Sequence, residues 1–141
     1  MLASAPPRIL VADRDPATSQ TVSWILREHG YDVLGAGSAD GLAETMDDFP
    51  PDLLLLDTPP GDDAALRALA RLKAHERWKE LPVIVTASPE GDEVVERALA
   101  TGAIDVVRKP FRAGELLARI GAHLRARTAL AATRRQLHGL Q

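Results

Sequence analysis

Four consecutive leucines, residues 53–56, constrain the fold more than any other stretch of this 141-residue chain. Prolines precede the run, and Asp57, Thr58 and then a Pro-Pro-Gly turn follow it. A run that is apolar at every position is typical of a strand buried on both faces of a parallel sheet. The sequence therefore predicts such a strand, with the Asp57 carboxylate at its carboxyl end. In open α/β sheets this edge is where ligands bind.

Strand-like and helix-like segments alternate along the rest of the chain. Five apolar runs begin near residues 8, 31, 53, 81 and 104, and five helical patterns cover about 16–29, 39–48, 62–78, 92–101 and 112 onward. This alternation predicts a doubly wound α/β fold, with a parallel sheet covered by helices on both faces. Ser38 suits the start of the second helix and Asp62 and Asp63 the start of the third. Gly30 and Gly102 suit helix ends.

Composition excludes several classes of function. The net charge of −3 gives no general attraction to nucleic acid or anionic membranes. The absence of cysteine excludes disulfides, thiolate metal sites and a cysteine nucleophile. No apolar run approaches the roughly 18 residues that cross a bilayer, and residues 1–7 do not read as a secretory signal. We therefore expect a cytoplasmic protein with a disordered leader over 1–7, one domain over 8–124 and a helical extension over 125–141.

Chemically active residues follow four of the predicted strands. Asp13 comes after the first strand, Asp57 after the third, Thr86 after the fourth and Lys109 after the fifth. Because parallel strands end at one edge of the sheet, these side chains should face a common cleft. The set suits phosphoryl transfer to a carboxylate, with Asp57 as nucleophile, acids that hold Mg²⁺, and Thr86 and Lys109 in contact with the phosphoryl oxygens.

Each of these residues also has an ordinary structural explanation. Asp57 could cap a turn, Asp13 or Asp15 could cap the first helix, and Thr86 could simply end a strand. Lys109 could be an ordinary surface lysine. The four histidines are scattered along the chain and are also expected to be surface residues. The shared position at one sheet edge favours the functional interpretation.

Four sequence segments resemble a known family. They read ILVADRDP at 9–16, PDLLLLD at 51–57, PVIVTA at 82–87 and DVVRKPF at 105–111. In this order and spacing they resemble the CheY-like receiver domain of bacterial two-component response regulators, over about residues 8–124. The resemblance implies a flavodoxin-like fold with strand order 2-1-3-4-5 and a cis peptide bond before Pro110. It also implies a regulatory phosphoacceptor rather than an enzyme, in which Asp57 takes a phosphoryl group from a histidine kinase or phosphotransfer protein and then slowly hydrolyses it.

The chain departs from that family at three positions. The resemblance implies Asp13, Asp57 and the backbone carbonyl of Pro59 as Mg²⁺ ligands, but Arg14 stands where a second acidic ligand is expected, and a guanidinium repels a metal. The loop after Asp57 is also one residue short, and proline fixes φ at position 59. Val106 stands at the switch position, where the family has Tyr or Phe. We hypothesise that Arg14 acts as a built-in cation against Asp57.

The C-terminal segment 125–141 has four arginines and no acidic residue. Without a helix-turn-helix, we expect no direct nucleic-acid binding by this chain. A rough heptad stripe includes Leu116, Ile120, Leu130 and Leu137. His123, Arg127 and Arg134 interrupt this stripe. We expect a signalling helix that leads to a homodimer partner or to an output domain after residue 141.

Two functions thus remain. The first is a phosphoacceptor receiver, either alone or as a fragment of a longer protein. The alternative is a degenerate receiver that is not phosphorylated and serves as an interaction or dimerisation module, which Arg14, the short loop and Val106 favour.

Overall fold

The computed structural model describes residues 5–139, in which strands and helices alternate as the sequence predicts. Residues 1–4, most of the predicted leader, lie outside this range. The strands are β1 (Arg8–Ala12), β2 (Asp32–Ala36), β3 (Leu53–Thr58), β4 (Val83–Ala87) and β5 (Asp105–Arg108). The helices are α1 (Pro16–Glu28), α2 (Leu42–Asp48), α3 (Ala64–Ala74), α4 (Asp92–Thr101) and α5 (Ala113–Gly139).

The five strands form one parallel sheet in the order β2-β1-β3-β4-β5. This order confirms the predicted flavodoxin-like topology. The leucine strand β3 is the middle strand, and β1 and β4 lie on either side of it. The strand order reverses between β1 and β3, because the chain winds outward from these two strands in opposite directions. The carboxyl ends of β1 and β3 therefore border a crevice.

The leucines of β3 divide between two hydrophobic cores. Leu54 and Leu56 pack with residues of α2, α3 and α4 on one face of the sheet. Leu53 and Leu55 pack with residues of α1 and α5 on the other face. None of the four is more than 3% exposed. The run is apolar throughout because both faces of its strand are covered.

The helix α2 is shorter than the sequence predicts. It begins at Leu42 rather than Ala39. The hydroxyl of Ser38 accepts a hydrogen bond from the backbone N–H of Asp40 at 3.2 Å, which makes a local turn instead of a helix cap. Gly41 follows with a positive φ of 70°, a conformation that glycine adopts without strain.

The helix α3 also ends earlier than predicted, at Ala74 instead of Trp78. His75 has an extended backbone, with φ −90° and ψ 127°, which stops the helix. The turns that follow carry Trp78 into the core, where it is 4% exposed. Tertiary burial of the indole ring therefore prevails over the helical pattern.

The helix α5 extends over 27 residues, which confirms the predicted C-terminal extension. Its apolar stripe has two parts. Leu116 and Ile120 are fully buried against the sheet, whereas Leu130 and Leu137 are 50% and 58% exposed. Within the described residues, no helix combines the length and the apolar character needed to cross a membrane.

Arginines that interrupt the stripe contact the domain. Arg127 donates from Nη1 to the backbone carbonyl of Asp52 at 3.1 Å. Arg134 forms a two-pronged ion pair with the carboxylate of Glu80, in the loop before β4. The extension thus follows the rim of the domain as far as Arg134. Both members of the second pair are exposed, so it orients the helix more than it stabilises the fold.

One histidine differs from the sequence expectation. His123 is half-buried, and its Nε2 lies 2.9 Å from Oδ2 of Asp105 at the start of β5. His29, His75 and His138 are exposed, as expected.

We expect Leu54→Ala to lower the free energy of unfolding by about 2–5 kcal/mol, because it leaves a cavity in a fully packed core. Leu137→Ala, at an exposed position, should change it by less than about 0.5 kcal/mol. Urea denaturation followed by circular dichroism measures both. Equal effects of the two substitutions would contradict the assignment of the leucine run to the buried strand.

Candidate functional site

The four residues predicted from the strand ends lie together at the carboxyl edge of the sheet. Asp13 directly follows β1 and Lys109 directly follows β5. Asp57 and Thr86 are the next-to-last residues of β3 and β4 and face each other in register. The backbone N–H of Lys109 donates to the carbonyl of Ala87 at 2.7 Å, which continues the strand pairing and fixes where the lysine starts.

The Lys109 ammonium bridges the two aspartates. Its Nζ is 2.9 Å from Oδ1 of Asp57 and 3.2 Å from Oδ2 of Asp13. The hydroxyl of Thr86 donates to the same Asp57 oxygen, Oδ1, at 2.9 Å. The other oxygen of Asp13 accepts the backbone N–H of Asp15 at 2.9 Å. The structure thus joins residues from four strands in one polar cluster.

The two oxygens of Asp57 differ in their surroundings. Thr86 and Lys109 both contact Oδ1, and no hydrogen bond from residues 5–139 engages Oδ2. The side chain is 14% exposed, so it is held by the protein yet reaches solvent. A carboxylate with one anchored oxygen and one free oxygen is suited to nucleophilic attack.

The charge of Lys109 depends on its two partners. Burial is the largest single influence and lowers the pKa of Lys109. The hydrogen bonds and negative charges of Asp57 and Asp13 together outweigh burial, so the pKa is raised above its ordinary value. The ammonium therefore stays protonated throughout the physiological range.

One supporting residue of the site, Thr58, was not predicted from the sequence. Thr58 is 1% exposed, and its hydroxyl donates to the backbone carbonyl of Thr86 at 2.7 Å. This bond ties the end of β3 to the end of β4, next to the facing pair of Asp57 and Thr86. A buried hydroxyl at a strand end has no distinctive sequence signal, since threonine is common in strands.

Arg14 does not pair with Asp57, contrary to the hypothesis from the sequence. Its Nη1 lies 3.0 Å from Oδ2 of Asp62, in the loop between β3 and α3. No ion pair within 4.0 Å joins Arg14 to Asp57 among the described residues, and Lys109 is the cation beside that aspartate. Asp62 was predicted to begin α3, but the helix begins at Ala64, with Asp63 at its N-cap. The Oδ1 of Asp62 does accept the backbone N–H of Ala64 at 2.9 Å, so Asp62 makes both contacts.

The resemblance to receiver domains implies Mg²⁺ at this acidic edge, but the donor set here fits that ion poorly. Lys109 contacts one oxygen of Asp13 and one of Asp57, and Arg14 stands where the resemblance implies an acid. The carbonyl of Pro59 faces the backbone N–H of Asp62 at 3.4 Å. Among residues 5–139, no group of three or more His, Cys, Asp or Glu is placed to hold a metal. A hard cation at these aspartates would therefore lie next to the Lys109 ammonium and would lack a carboxylate ligand at position 14.

The remaining predicted features lie beside the cluster. Val106, which the resemblance implies is the switch position, is half-buried and packs against the core shared by α2, α3 and α4. The Lys109–Pro110 peptide bond is cis, as the resemblance implies.

A flavodoxin-like sheet that gathers carboxylates, a hydroxyl and an ammonium at its carboxyl edge defines a CheY-like regulatory domain. Comparison with protein families gives the same answer. The family model of the response regulator receiver domain matches residues 9–121, and the chain belongs to that family.

Similar proteins carry names of the same kind. The phosphate regulon transcriptional regulatory protein PhoB of Escherichia coli is 30% identical over 118 residues, which cover 84% of this chain and 52% of PhoB. The transcriptional regulatory protein KdpE of Mycobacterium tuberculosis is 33% identical over 123 residues, which cover 87% of this chain and 53% of KdpE. The crystal structure of NtrX from Brucella abortus superposes with a TM-score of 0.80 at 27% identity, covering 96% of this chain and 30% of NtrX. The chain spans about half the length of PhoB and of KdpE.

We expect Lys109→Met to lower the free energy of unfolding near neutral pH by about 1–3 kcal/mol, because two neighbouring carboxylates lose their shared cation. The raised folded-state pKa sets the sign of the pH dependence. The contribution of Lys109 is complete below its unfolded-state pKa of about 10.4 and is lost as pH rises through the higher folded-state value. In urea denaturation, the difference in the free energy of unfolding between Lys109→Met and wild type should be constant from about pH 7 to 9. It should disappear as pH rises above about 10.5.

The matched control is Lys79→Met, which removes an exposed lysine paired with the exposed Glu76. This variant should differ little from wild type at any pH. If Lys109→Met does not lower the free energy of unfolding at neutral pH, the bridging role of the ammonium is wrong.

Proposed function

We propose that this receiver domain is the phosphoacceptor of a two-component phosphorelay. Asp57 accepts a phosphoryl group from the phosphohistidine of a histidine kinase or phosphotransfer protein, and Thr86 and Lys109 contact that group. The observation that carries the proposal is the asymmetry of the Asp57 carboxylate. Its Oδ1 is held by the Thr86 hydroxyl and the Lys109 ammonium, while Oδ2 has no hydrogen bond from residues 5–139.

The chemistry follows from that asymmetry. The Oδ2 lone pair attacks phosphorus, an O–P bond forms as the N–P bond to the donor imidazole breaks, and the departing nitrogen takes a proton from solvent. Negative charge accumulates on the phosphoryl oxygens during transfer. The Lys109 ammonium and the Thr86 hydroxyl already lie within hydrogen-bond distance of the carboxylate and can follow that charge. Donors of this kind each change a rate by about 10²–10³-fold.

The domain would act on a partner rather than on a substrate. PhoB and KdpE are named as transcriptional regulators, and this chain matches about half of each. We propose that residues 125–141 link the receiver domain to an output domain after residue 141 or to a second copy in a homodimer. The exposed Leu130 and Leu137 on α5 support this role, since large apolar side chains in solvent often mark contact surfaces. A cytoplasmic location belongs to the same proposal.

A degenerate receiver is the second candidate function. Arg14 at an acidic ligand position and Val106 at the aromatic switch position favour it, because both remove parts of the usual phosphorylation response. In that case the domain serves as an interaction or dimerisation module whose state does not depend on Asp57.

We expect the chain incubated with acetyl phosphate and Mg²⁺ to gain one phosphoryl group, and we expect Asp57→Asn to abolish the gain. The amide cannot act as the nucleophile that the carboxylate provides. Intact-mass spectrometry under rapid acid quench measures the modification, and peptide mapping after borohydride reduction places it.

Asp47→Asn is the matched control, since Asp47 is an exposed aspartate paired with Arg77 on the surface. This variant should be modified as fully as wild type. An unmodified wild-type chain, together with the same self-association in wild type and Asp57→Asn, would favour the degenerate receiver. Analytical ultracentrifugation of both proteins measures that association.

A further inference from the structure

Arg14 and Asp57 both line a small cavity at the carboxyl edge of the sheet. Its volume is about 70 Å³, and Pro59 and Asp62 also line it. Such a space holds a few waters and suits a small group rather than a nucleotide. Among residues 5–139, Arg14 is the only cationic side chain that lines it. Three aspartates, at positions 40, 57 and 62, share the lining, so this guanidinium is the cation that the cavity offers to a phosphoryl group on Asp57.

Phosphorylation would add such a charge. A phosphoryl group on a side chain carries about −1.5 to −2 at neutral pH and three acceptor oxygens. Lys109 cannot compensate this charge alone, because its ammonium is already shared between Asp57 and Asp13. The metal that supplies positive charge in other receiver domains fits this donor set poorly. A second cation within the site is thus needed, and the sequence places one at position 14.

The present partner of Arg14 holds it only weakly. The Arg14 side chain is 59% exposed and that of Asp62 is 30% exposed, so solvent screens their attraction. Asp62 also keeps a partner of its own in the backbone N–H of Ala64. A guanidinium bound to phosphate forms two parallel charge-assisted hydrogen bonds, which are shorter and stronger than an exposed ion pair. The exchange of Asp62 for a phosphoryl group is therefore favourable.

We infer that Arg14 is a phosphoryl-binding residue that leaves Asp62 and binds the phosphoryl group on Asp57, in place of the charge that Mg²⁺ supplies in receivers with two acids. The inference rests on the proposed phosphorylation of Asp57. It assigns a role to the residue that departs most from the family pattern. The chain should consequently be phosphorylated with little need for Mg²⁺.

The test measures phosphorylation of the full chain by acetyl phosphate in EDTA and in millimolar Mg²⁺, with intact-mass spectrometry as the readout. We expect the rate of wild-type phosphorylation to differ by no more than a few-fold between EDTA and Mg²⁺. Arg14→Gln should react about ten-fold or more slowly in EDTA, since it loses a charge-assisted hydrogen bond. Arg14→Asp should react in Mg²⁺ and hardly at all in EDTA. Arg14→Lys, which keeps the charge without the planar fork, should lie between wild type and Arg14→Gln.

A second variant tests the exchange of partners in the opposite direction. Asp62→Asn keeps an oxygen for the backbone N–H of Ala64 but removes the charge that holds Arg14. It should react faster than wild type in EDTA. A slower reaction of Asp62→Asn would overturn the exchange.

Binding of Mg²⁺ to the unphosphorylated chain gives a readout that does not depend on the reaction. Isothermal titration calorimetry should show weak or no binding to wild type and clear gain of affinity in Arg14→Asp. Arg77→Gln is the matched control, because Arg77 is an exposed arginine paired with Asp47 outside the cavity. It should match wild type in both the phosphorylation and the calorimetry experiments.

The outcomes separate the inference from the proposed function. If wild type requires Mg²⁺ and Arg14→Gln reacts as wild type does, the inference is wrong and the phosphoacceptor function stands. If Asp57 stays unmodified in wild type and in Arg14→Asp, with and without Mg²⁺, the phosphoacceptor function itself is wrong and the inference falls with it. Saturable Mg²⁺ binding to wild type that Arg14→Asp does not improve also overturns the inference.

Discussion

The ammonium of Lys109, shared between Asp13 and Asp57, is the interaction on which the rest of the site depends. Two carboxylates at the ends of adjacent parallel strands repel each other, and the buried sheet edge weakens solvent screening. The lysine from β5 relieves this repulsion with contacts of 3.2 and 2.9 Å, and the two carboxylates raise its pKa in return. The strand order makes this possible, since it places β1 and β3 side by side and brings β5 to the same edge.

This bridge also explains why a metal has little room in the site. The ammonium contacts one oxygen of each aspartate and would repel a divalent metal beside it, and an arginine lines the neighbouring cavity. The loop that holds Arg14 through Asp62 continues to Asp63, whose carboxylate pairs with Arg97 of α4 at 3.0 Å. The ion pair of Arg14 with Asp62 therefore lies next to the ion pair that joins the start of α3 to α4, so a change in the first can affect the second. That route does not pass through Val106, where the chain lacks the aromatic ring of its family.

The parts of the structure that the sequence predicts are those set by local patterning. The uniform leucine run identifies a doubly covered strand, and the polar residue that ends each strand then identifies the sheet edge where Asp13, Asp57, Thr86 and Lys109 meet. Contacts between distant loops are not predictable in this way. Arg14 could have faced Asp57 or Asp62, and only the path of the loop after β3 decides between them. Two helices are shorter than predicted for similar reasons. A local hydrogen bond at Ser38 overrides the helical periodicity of α2, and tertiary burial of Trp78 overrides that of α3.

The position of Lys109 links the site to the C-terminal extension. Lys109 directly precedes Pro110 and Phe111, and Phe111 packs against the core that contains Leu116 and Ile120 of α5. From Ala113 onward α5 is one continuous helix, about 40 Å long at roughly 1.5 Å per residue. A rigid helix transmits a tilt at its first turn to its last turn, where a small rotation becomes a larger displacement. Exposed ion pairs such as that of Arg134 with Glu80 resist such a tilt only weakly. A tilt at the first turn of α5 would therefore displace its far half most, where Leu130 and Leu137 are exposed.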